Sequence, residues 1–156
     1  MKKYFFLLMT SLLIVSCAKN GTPSSRAELW TAEQIKSLPK DASMNKKQIS
    51  AEGYLSFCDM YNGVTMGKNN VMELRTEPDC KGEKLIDVSI NFNTSEKLFG
   101  EKYRNYATVE DKAFNNSSIK FMTDDYQEVP NGKLKFSGTL LFVNDHYELQ
   151  DVVIYQ

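Results

Sequence analysis

Few side chains in this sequence belong to the types that carry out covalent or acid–base chemistry. There are three cysteines, Cys17, Cys58 and Cys80, and one histidine, His146. A thiol beside an imidazole can act as a nucleophile, and both groups can bind metals. Such sites need partners at recognisable spacing, and the chain contains no CxxC, HExxH or GxSxG motif. We therefore expect a protein without catalytic activity, and a thiol- or metal-dependent enzyme using Cys58, Cys80 and His146 is the alternative.

An acidic stretch, DDYQE at residues 124–128, is the other place to look for chemistry. Carboxylate oxygens can hold a divalent cation, but the stretch lacks the Asp-x-Asp-x-Asp-Gly spacing of a calcium loop. The glycine-containing loops NGVTMG and DCKGEK match no phosphate-binding pattern either. The sequence therefore predicts no metal and no cofactor, and the acidic stretch is interpreted as a solvated loop.

The first seventeen residues indicate export. Lys2 and Lys3 precede residues 4–15, which are apolar apart from Thr10 and Ser11, and polar residues follow directly after Cys17. The apolar stretch is shorter than the roughly 20 residues that a membrane-spanning helix needs. This profile is typical of a signal peptide, so the mature chain is predicted to begin near Cys17.

The residues IVSC, at positions 14–17, resemble the lipobox of bacterial lipoproteins. The resemblance implies a signal peptide at residues 1–16 and acyl chains, palmitate among them, on Cys17. Two or three acyl chains on one residue hold a protein on a membrane far longer than one chain does. The implied location is the cell envelope, at the outer membrane facing the periplasm or at the cell surface. The alternative is an ordinary secretory signal with a chance cysteine.

Composition after the leader predicts one domain. The leader holds two of the 19 basic residues and no acid, so 17 basic and 20 acidic side chains remain, a formal net charge of −3. About 140 residues suffice for one domain with a core. Residues 17–29 are small and polar and are interpreted as a flexible lipidated tether, with the domain at 30–156.

Cys58 and Cys80 are an even pair in a compartment that permits disulfides. The sequence does not decide between a disulfide and two free thiols. Cys58 comes after the first predicted strand, and Cys80 comes after the second predicted strand. That placement can put the two residues at opposite ends of a sheet, beyond bridging distance.

Period-two alternation predicts five strands, and a separate capping pattern predicts one short helix. The strand segments are ISAEGYLSF, VMELR, LIDVSINF, KLKFSGTLLF and YELQDVVIY. Thr31 and Gln34 form a capping-box pattern before Pro39, which predicts a helix between them and the proline. A second short helix is predicted before Gly100, and another short strand at residues 119–122.

These segments, with Gly53 and Gly138 inside the first and fourth strands, resemble the OB fold of small exported bacterial proteins. The fold class is therefore mainly β, a small five-stranded OB-type Greek-key barrel with one or two short helices. Another small antiparallel barrel or sandwich is the alternative. Such folds often bind nucleic acid, but the outward positions of the second and third strands carry no aromatic residue and include two acids. We therefore expect no nucleic acid partner. The outward positions of these two strands are Glu73, Arg75, Asp87, Ser89 and Asn91.

The remaining function is binding. Tyr54 lies on the outer face of the first strand, and Met60, Tyr61 and Met66 lie in the loop after it. Aromatic and methionine side chains on loops of a rigid scaffold are common in recognition surfaces. The alternative interpretation is that these side chains cover the mouth of the barrel as part of its core. The sequence thus predicts a lipid-anchored accessory protein that binds an envelope protein or a small ligand, or that inhibits an enzyme attacking the envelope.

Overall fold

The computed structural model describes residues 26–58, 69–92, 104–109 and 115–156. Strands make up most of this part of the chain, which confirms the mainly β prediction. The elements are, in chain order, α1 (Ala32–Lys36), a 3₁₀ turn (Ala42–Met44), β1 (Gln48–Ser56), β2 (Asn69–Arg75), β3 (Lys84–Phe92), β4 (Tyr106–Val109), a second 3₁₀ turn (Asn116–Ser118), β5 (Ile119–Met122), β6 (Glu128–Pro130), β7 (Lys133–Val143) and β8 (His146–Tyr155).

Five of the strands close into a barrel. The hydrogen-bonded order is β1, β2, β3, β8, β7 and back to β1. All these neighbours are antiparallel except β3 and β8, which run parallel and pair Asp87 with Glu148 and Val88 with Leu149. We call this parallel pairing the seam. The arrangement is that of a small OB-type barrel, as predicted, and the seam makes the barrel mixed instead of purely antiparallel.

The first strand belongs to both halves of the barrel. Residues 48–54 of β1 pair with β7, and residues 54–56 pair with β2. Gly53 lies beside this change of partner, and a Cβ atom there would come within 2.5 Å of the Arg75 carbonyl oxygen. Only glycine allows β2 to approach β1 this closely.

The predicted inward faces form the core. Side chains of β1, β2, β3, β7 and β8 at alternate positions are buried, because a strand directs every second side chain to the same face. The fully buried members of this core from the five barrel strands are Ile49, Ala51, Leu55, Met72, Leu74, Val88, Ile90, Phe136, Leu140, Leu149 and Ile154.

A bulge interrupts the pairing of β7 with β8. Thr139 pairs with Gln150 and Ser137 with Val153, so Gly138 faces two residues, Asp151 and Val152. Asp151 adopts a left-handed backbone conformation with φ 52°. Because of the extra residue, the consecutive residues Gln150 and Asp151 are both accessible to solvent, and the next residue, Val152, is buried.

The helix α1 begins as its sequence predicts. The Thr31 side chain accepts a hydrogen bond from the Gln34 backbone N–H, and the Gln34 side chain accepts one from the Thr31 backbone N–H. Ile35 is buried and Trp30 is half-buried against the core, so the helix covers one side of the barrel. The second predicted helix, before Gly100, lies outside the described residues. Within the described ranges no helix is long and apolar enough to cross a membrane.

Residues 26–29 belong to the barrel, although they were assigned to the tether. The Ser50 backbone N–H donates to the Glu28 carbonyl oxygen at 2.8 Å, and Leu29 forms a parallel bridge with Ser50. The Ala27 N–H donates to the Ser137 hydroxyl oxygen at 2.9 Å. The prediction missed this because backbone groups make the contacts, and small polar side chains do not reveal them. The ordered domain therefore includes Arg26 instead of starting at Trp30.

Three short strands extend the sheet beyond the barrel. The end of β3 pairs with β4, which pairs with β5, and β5 pairs with β6. Of these, only β5 was predicted, at the residues it occupies. The strands β4 and β6 have four and three residues and show too little alternation to be recognised. Ile119 and Phe121 of β5 are fully buried, so this extension adds to the core.

We expect Gly138→Ala to destabilise the protein by about 1–3 kcal/mol, the usual cost of overpacking. The new Cβ atom would lie 2.6 Å from the Gln150 carbonyl oxygen and 2.8 Å from Leu149 Cγ. Gly132→Ala is the matched control, because its nearest neighbour would be 3.8 Å away, and we expect a change within about 0.5 kcal/mol. Urea unfolding of both variants measures the difference, and equal effects would contradict the packing at the bulge.

Candidate functional site

Cys58 and Cys80 form a disulfide in the structure. Their Cα atoms are 5.4 Å apart, well within bridging distance. The turn between β2 and β3 brings Cys80 to the end of β1, where its sulfur lies 3.1 Å from the Phe57 carbonyl oxygen. The two cysteines are therefore not at opposite ends of the sheet. Cys58 directly precedes residues 59–68, so the bridge attaches the start of the β1–β2 loop to the barrel.

Asn116 supports the same corner. Its side-chain oxygen accepts a hydrogen bond from the Phe57 backbone N–H at 2.8 Å, and its side-chain amide donates to the Phe57 carbonyl oxygen at 3.3 Å. The amide also lies 3.6 Å from the Cys80 sulfur. Because one side chain satisfies both backbone groups of Phe57, the chain leaving β1 is held in a defined direction.

His146 lies at the seam and does not face a thiol. Its Nδ1 is 3.0 Å from the Asn144 carbonyl oxygen, and its Nε2 is 3.1 Å from Asp87 Oδ2 and 3.7 Å from Glu148 Oε1. Carbonyl and carboxylate oxygens only accept hydrogen bonds, so a ring nitrogen that carries a proton can donate to its neighbour. The structure places His146 at the start of β8, where its partly exposed ring lies over two carboxylates.

The two carboxylates are close because the seam is parallel. Asp87 and Glu148 are directly paired, and their side chains are only 8% and 12% exposed. Like charges in such a position repel each other, and burial adds to the cost. Lys84 lies against Asp87 and offsets this repulsion, and the His146 ring lies over both carboxylates. Spacing along the chain could not reveal the cluster, because its acids are 61 residues apart (148 minus 87).

Lys84 joins this cluster to a second one on β2. Its Nζ is 2.8 Å from Asp87 Oδ1 and 3.4 Å from Glu73 Oε1, and Arg75 is 2.6 Å from Glu73. Burial alone would lower the pKa of Lys84, but the hydrogen bonds and charges of Asp87 and Glu73 outweigh it and raise this pKa above its ordinary value. We call Glu73, Arg75, Lys84, Asp87, His146 and Glu148 the seam network.

The seam network satisfies its own charges. Each cation contacts at least one carboxylate, so the outer wall of β2, β3 and β8 has no unpaired row of positive charge to attract a polyanion. Within the described residues, no group of three or more His, Cys, Asp or Glu side chains has the geometry of a metal site. The arrangement can hold the barrel closed, and it offers no nucleophile beside a base.

The predicted binding residues are only partly placed by the structure. Tyr54 is half-buried in β1, between Lys133 of β7 and Arg75 of β2 in the sheet register. Met60, Tyr61 and Met66, like Cys17 and the lipobox at residues 14–17, lie outside the described residues. In the acidic stretch, the Thr123 hydroxyl donates to Asp125 and Arg26 pairs with Asp124 at 3.5 Å, so these acids have protein partners.

A groove separates α1 from the seam network. It has a volume of about 330 Å³ and a mixed lining. The apolar residues Ile35, Leu38 and Phe142 and the polar residues Lys40 and His146 contribute to this lining. The groove is a candidate recognition surface beside the β7–β8 turn.

The chain matches no protein-family model, no curated protein and no solved structure. The functional argument therefore rests on the residues of the chain itself.

We expect the double variant Cys58→Ser, Cys80→Ser to lose about 3 kcal/mol of unfolding free energy, because the bridge closes a loop of 22 residues in the unfolded chain. The unfolding free energy of the wild type and of the double variant is measured with and without reductant. The wild type should lose a similar amount in reductant and the double variant should not change. Equal stability of the two proteins in the absence of reductant would contradict a structural role for the bridge.

We expect Lys84→Met to lower stability by about 0.5–1 kcal/mol at neutral pH, a value discounted for the 43% exposure of the side chain. The folded pKa is above the ordinary 10.5, so the contribution of the charge is complete below pH 10.5 and is lost as the pH rises through the folded pKa. Stability measured from pH 7 to 12 should thus show the variant and wild type converging at the alkaline end. Lys40→Met, at an exposed lysine, is the control. A difference between Lys84→Met and wild type that persists above the folded pKa would contradict the ion-pair account.

Proposed function

We propose that the chain is a lipid-anchored cell-envelope protein that acts by binding, without catalysis. The observation that carries the proposal is the sequence IVSC at residues 14–17, placed after a basic and apolar leader. Attachment of acyl chains to Cys17 would hold the barrel at a membrane surface.

The short distance between Cys17 and the barrel supports a membrane-proximal role. Arg26 already contacts the barrel, through its ion pair with Asp124 and through Tyr155, whose ring centre lies 4.6 Å from its guanidinium carbon. Residues 18–25 are the only ones between Cys17 and Arg26, so the connection spans at most about 30 Å. A partner in the same membrane zone would meet the barrel at a high effective concentration, and a weak interface would suffice.

The chemistry of the described residues supports binding in preference to catalysis. Both thiols of the enzyme alternative, Cys58 and Cys80, are used in the disulfide, and His146 contacts carboxylates. A thiol enzyme would need the bridge reduced and the histidine moved away from Asp87. The outer wall, with its paired charges, also offers no stacking platform or basic groove for nucleic acid.

A protein or small ligand of the envelope is the partner class that we propose. Tyr54 on β1 and Met60, Tyr61 and Met66 in the following loop are the predicted contacts. The disulfide supports their role, because it holds the first residue before that loop against the barrel. A loop with one end fixed loses less conformational entropy when it binds than a free loop would.

We expect the wild type to incorporate a clickable palmitate analogue in cells and to fractionate with membranes, and Cys17→Ser to do neither. The matched control is Cys58→Ser, Cys80→Ser, which removes the other two cysteines and should retain the label. The label is measured by gel fluorescence. Label that persists in Cys17→Ser, or that is missing from the wild type, would contradict lipid anchoring.

Crosslinking of anchored and Cys17→Ser proteins in whole cells, followed by mass spectrometry, then tests whether the anchored form alone captures an envelope partner.

A further inference from the structure

The strands β3 and β8 separate just beyond the seam. Past Val88 and Leu149, β8 continues along β7, while Asn91 at the end of β3 pairs with Tyr106 of β4. A gap of about 320 Å³ opens where the strands separate. It is lined by Ser89, Asn91, Arg104, Asn105, Gln150, Asp151 and Val152. A volume of this size lies at the lower end of the range of small-molecule sites.

The bulge opposite Gly138 gives this gap its polar wall. With strict alternation, Asp151 would lie on the same face as the buried Leu149. The extra residue and the left-handed φ of 52° instead leave the Asp151 carboxylate exposed beside Gln150. Left-handed residues other than glycine are uncommon, and bulges next to sites commonly redirect one side chain. The structure thus accepts an unfavourable backbone conformation that places a carboxylate at the gap.

Several polar groups in the gap lack protein partners. Within the described residues, the side chains of Ser89, Asn91 and Asp151 make no hydrogen bond or ion pair. Arg104 donates only one N–H, to the Asp124 carbonyl oxygen at 3.3 Å, which leaves other guanidinium donors available. The gap therefore offers a carboxylate acceptor, a guanidinium donor, a hydroxyl and an amide within one small space.

This set of groups favours a neutral ligand with many hydroxyls. A single arginine beside a carboxylate disfavours phosphate, and one carboxylate is too few for a calcium site. The polar lining disfavours an apolar ligand. Neutral groups from Ser89, Asn91 and Gln150 outnumber the two charges, which matches the alternating donors and acceptors of vicinal hydroxyls.

An exposed aromatic ring stands next to the gap. Tyr126 is 51% exposed, and its ring centre lies 5.9 Å from the guanidinium carbon of Arg104. The apolar face of such a ring can pack against the C–H groups of a sugar ring whose hydroxyls bind polar side chains.

We propose that the gap between β3 and β8 is a saccharide-binding site for a glycan of the cell envelope. The assignment rests on the proposed envelope location, since that location supplies the glycan. Asp151 and Asn91 would bind hydroxyls from opposite walls, and Arg104 would close the end of the site. The site lies between the seam and β4.

Calorimetric titration of the full-length chain, purified in detergent micelles, tests the proposal. The probes are N-acetylglucosamine hexamer and cell-wall glycan fragments released by a muramidase, with glycine as the zwitterionic comparison. We expect saturable binding of at least one glycan, and at least a tenfold loss of affinity in Asp151→Gly, because a hydrogen bond to a charged group is removed. Glycine accommodates the left-handed φ, so folding should be retained.

Asp145→Gly is the matched control. Asp145 also has a left-handed backbone, with φ 66°, but it belongs to the β7–β8 turn that precedes β8 and does not line the gap. The change removes the same charge and should leave glycan affinity unaltered. Chemical-shift changes in ¹⁵N-labelled protein should map to Asn91 and Asp151 in the wild type.

Three results would overturn the proposal. These are no saturable binding of either glycan at millimolar concentration, equal binding by Asp151→Gly and wild type, or saturation by glycine alone. The titration uses purified protein and does not require an acyl chain, so it is independent of palmitate labelling at Cys17. Failure of one experiment therefore does not imply failure of the other.

Discussion

The rest of the structure depends on the parallel pairing of β3 with β8. Without it, the sheet would be open, with β8 at one edge and most of β3 unpaired on the side away from β2. The pairing has a cost, because it places Asp87 directly beside Glu148 in a largely buried position. Lys84 supplies compensating positive charge, with its Nζ 2.8 Å from Asp87 Oδ1, and the His146 ring lies 3.1 Å from Asp87 Oδ2. The only histidine in the chain is thus explained by barrel closure.

The limited length of the seam leaves a gap beside it. Two residue pairs close the barrel, and beyond them β3 turns to β4 while the bulge directs β8 along β7. The polar gap is the space left by this divergence, and Asp151 reaches it because Gly138 permits the bulge. One constraint therefore links the charged network at the seam with the polar groups in the gap beside it.

The barrel strands were predictable from alternation, because each contributes one buried and one solvated face. The cap of α1 was predictable too, since Thr31 and Gln34 make their contacts within one turn. Contacts between residues that are distant in the sequence were not predictable. The proximity of His146 to Asp87 follows from the parallel register of β3 and β8, which the spacing of residues along the chain does not encode. The exposed position of Asp151 departs from alternation at the bulge, and residues 26–29 dock through backbone groups. The chemistry-bearing residues could therefore be named from sequence, but their partners could not.

The account predicts a rigid, permanently closed seam, and native-state hydrogen exchange measures this directly. Backbone amides of residues 87–89 and 148–150 should exchange only through global unfolding, with the same free energy as the protected amides of the β1–β7 pairing. Protection of these amides at that level would show that closure and gap are part of the native state. Exchange through a local opening far below the global free energy, with β1 and β7 still protected, would contradict the central role of the seam.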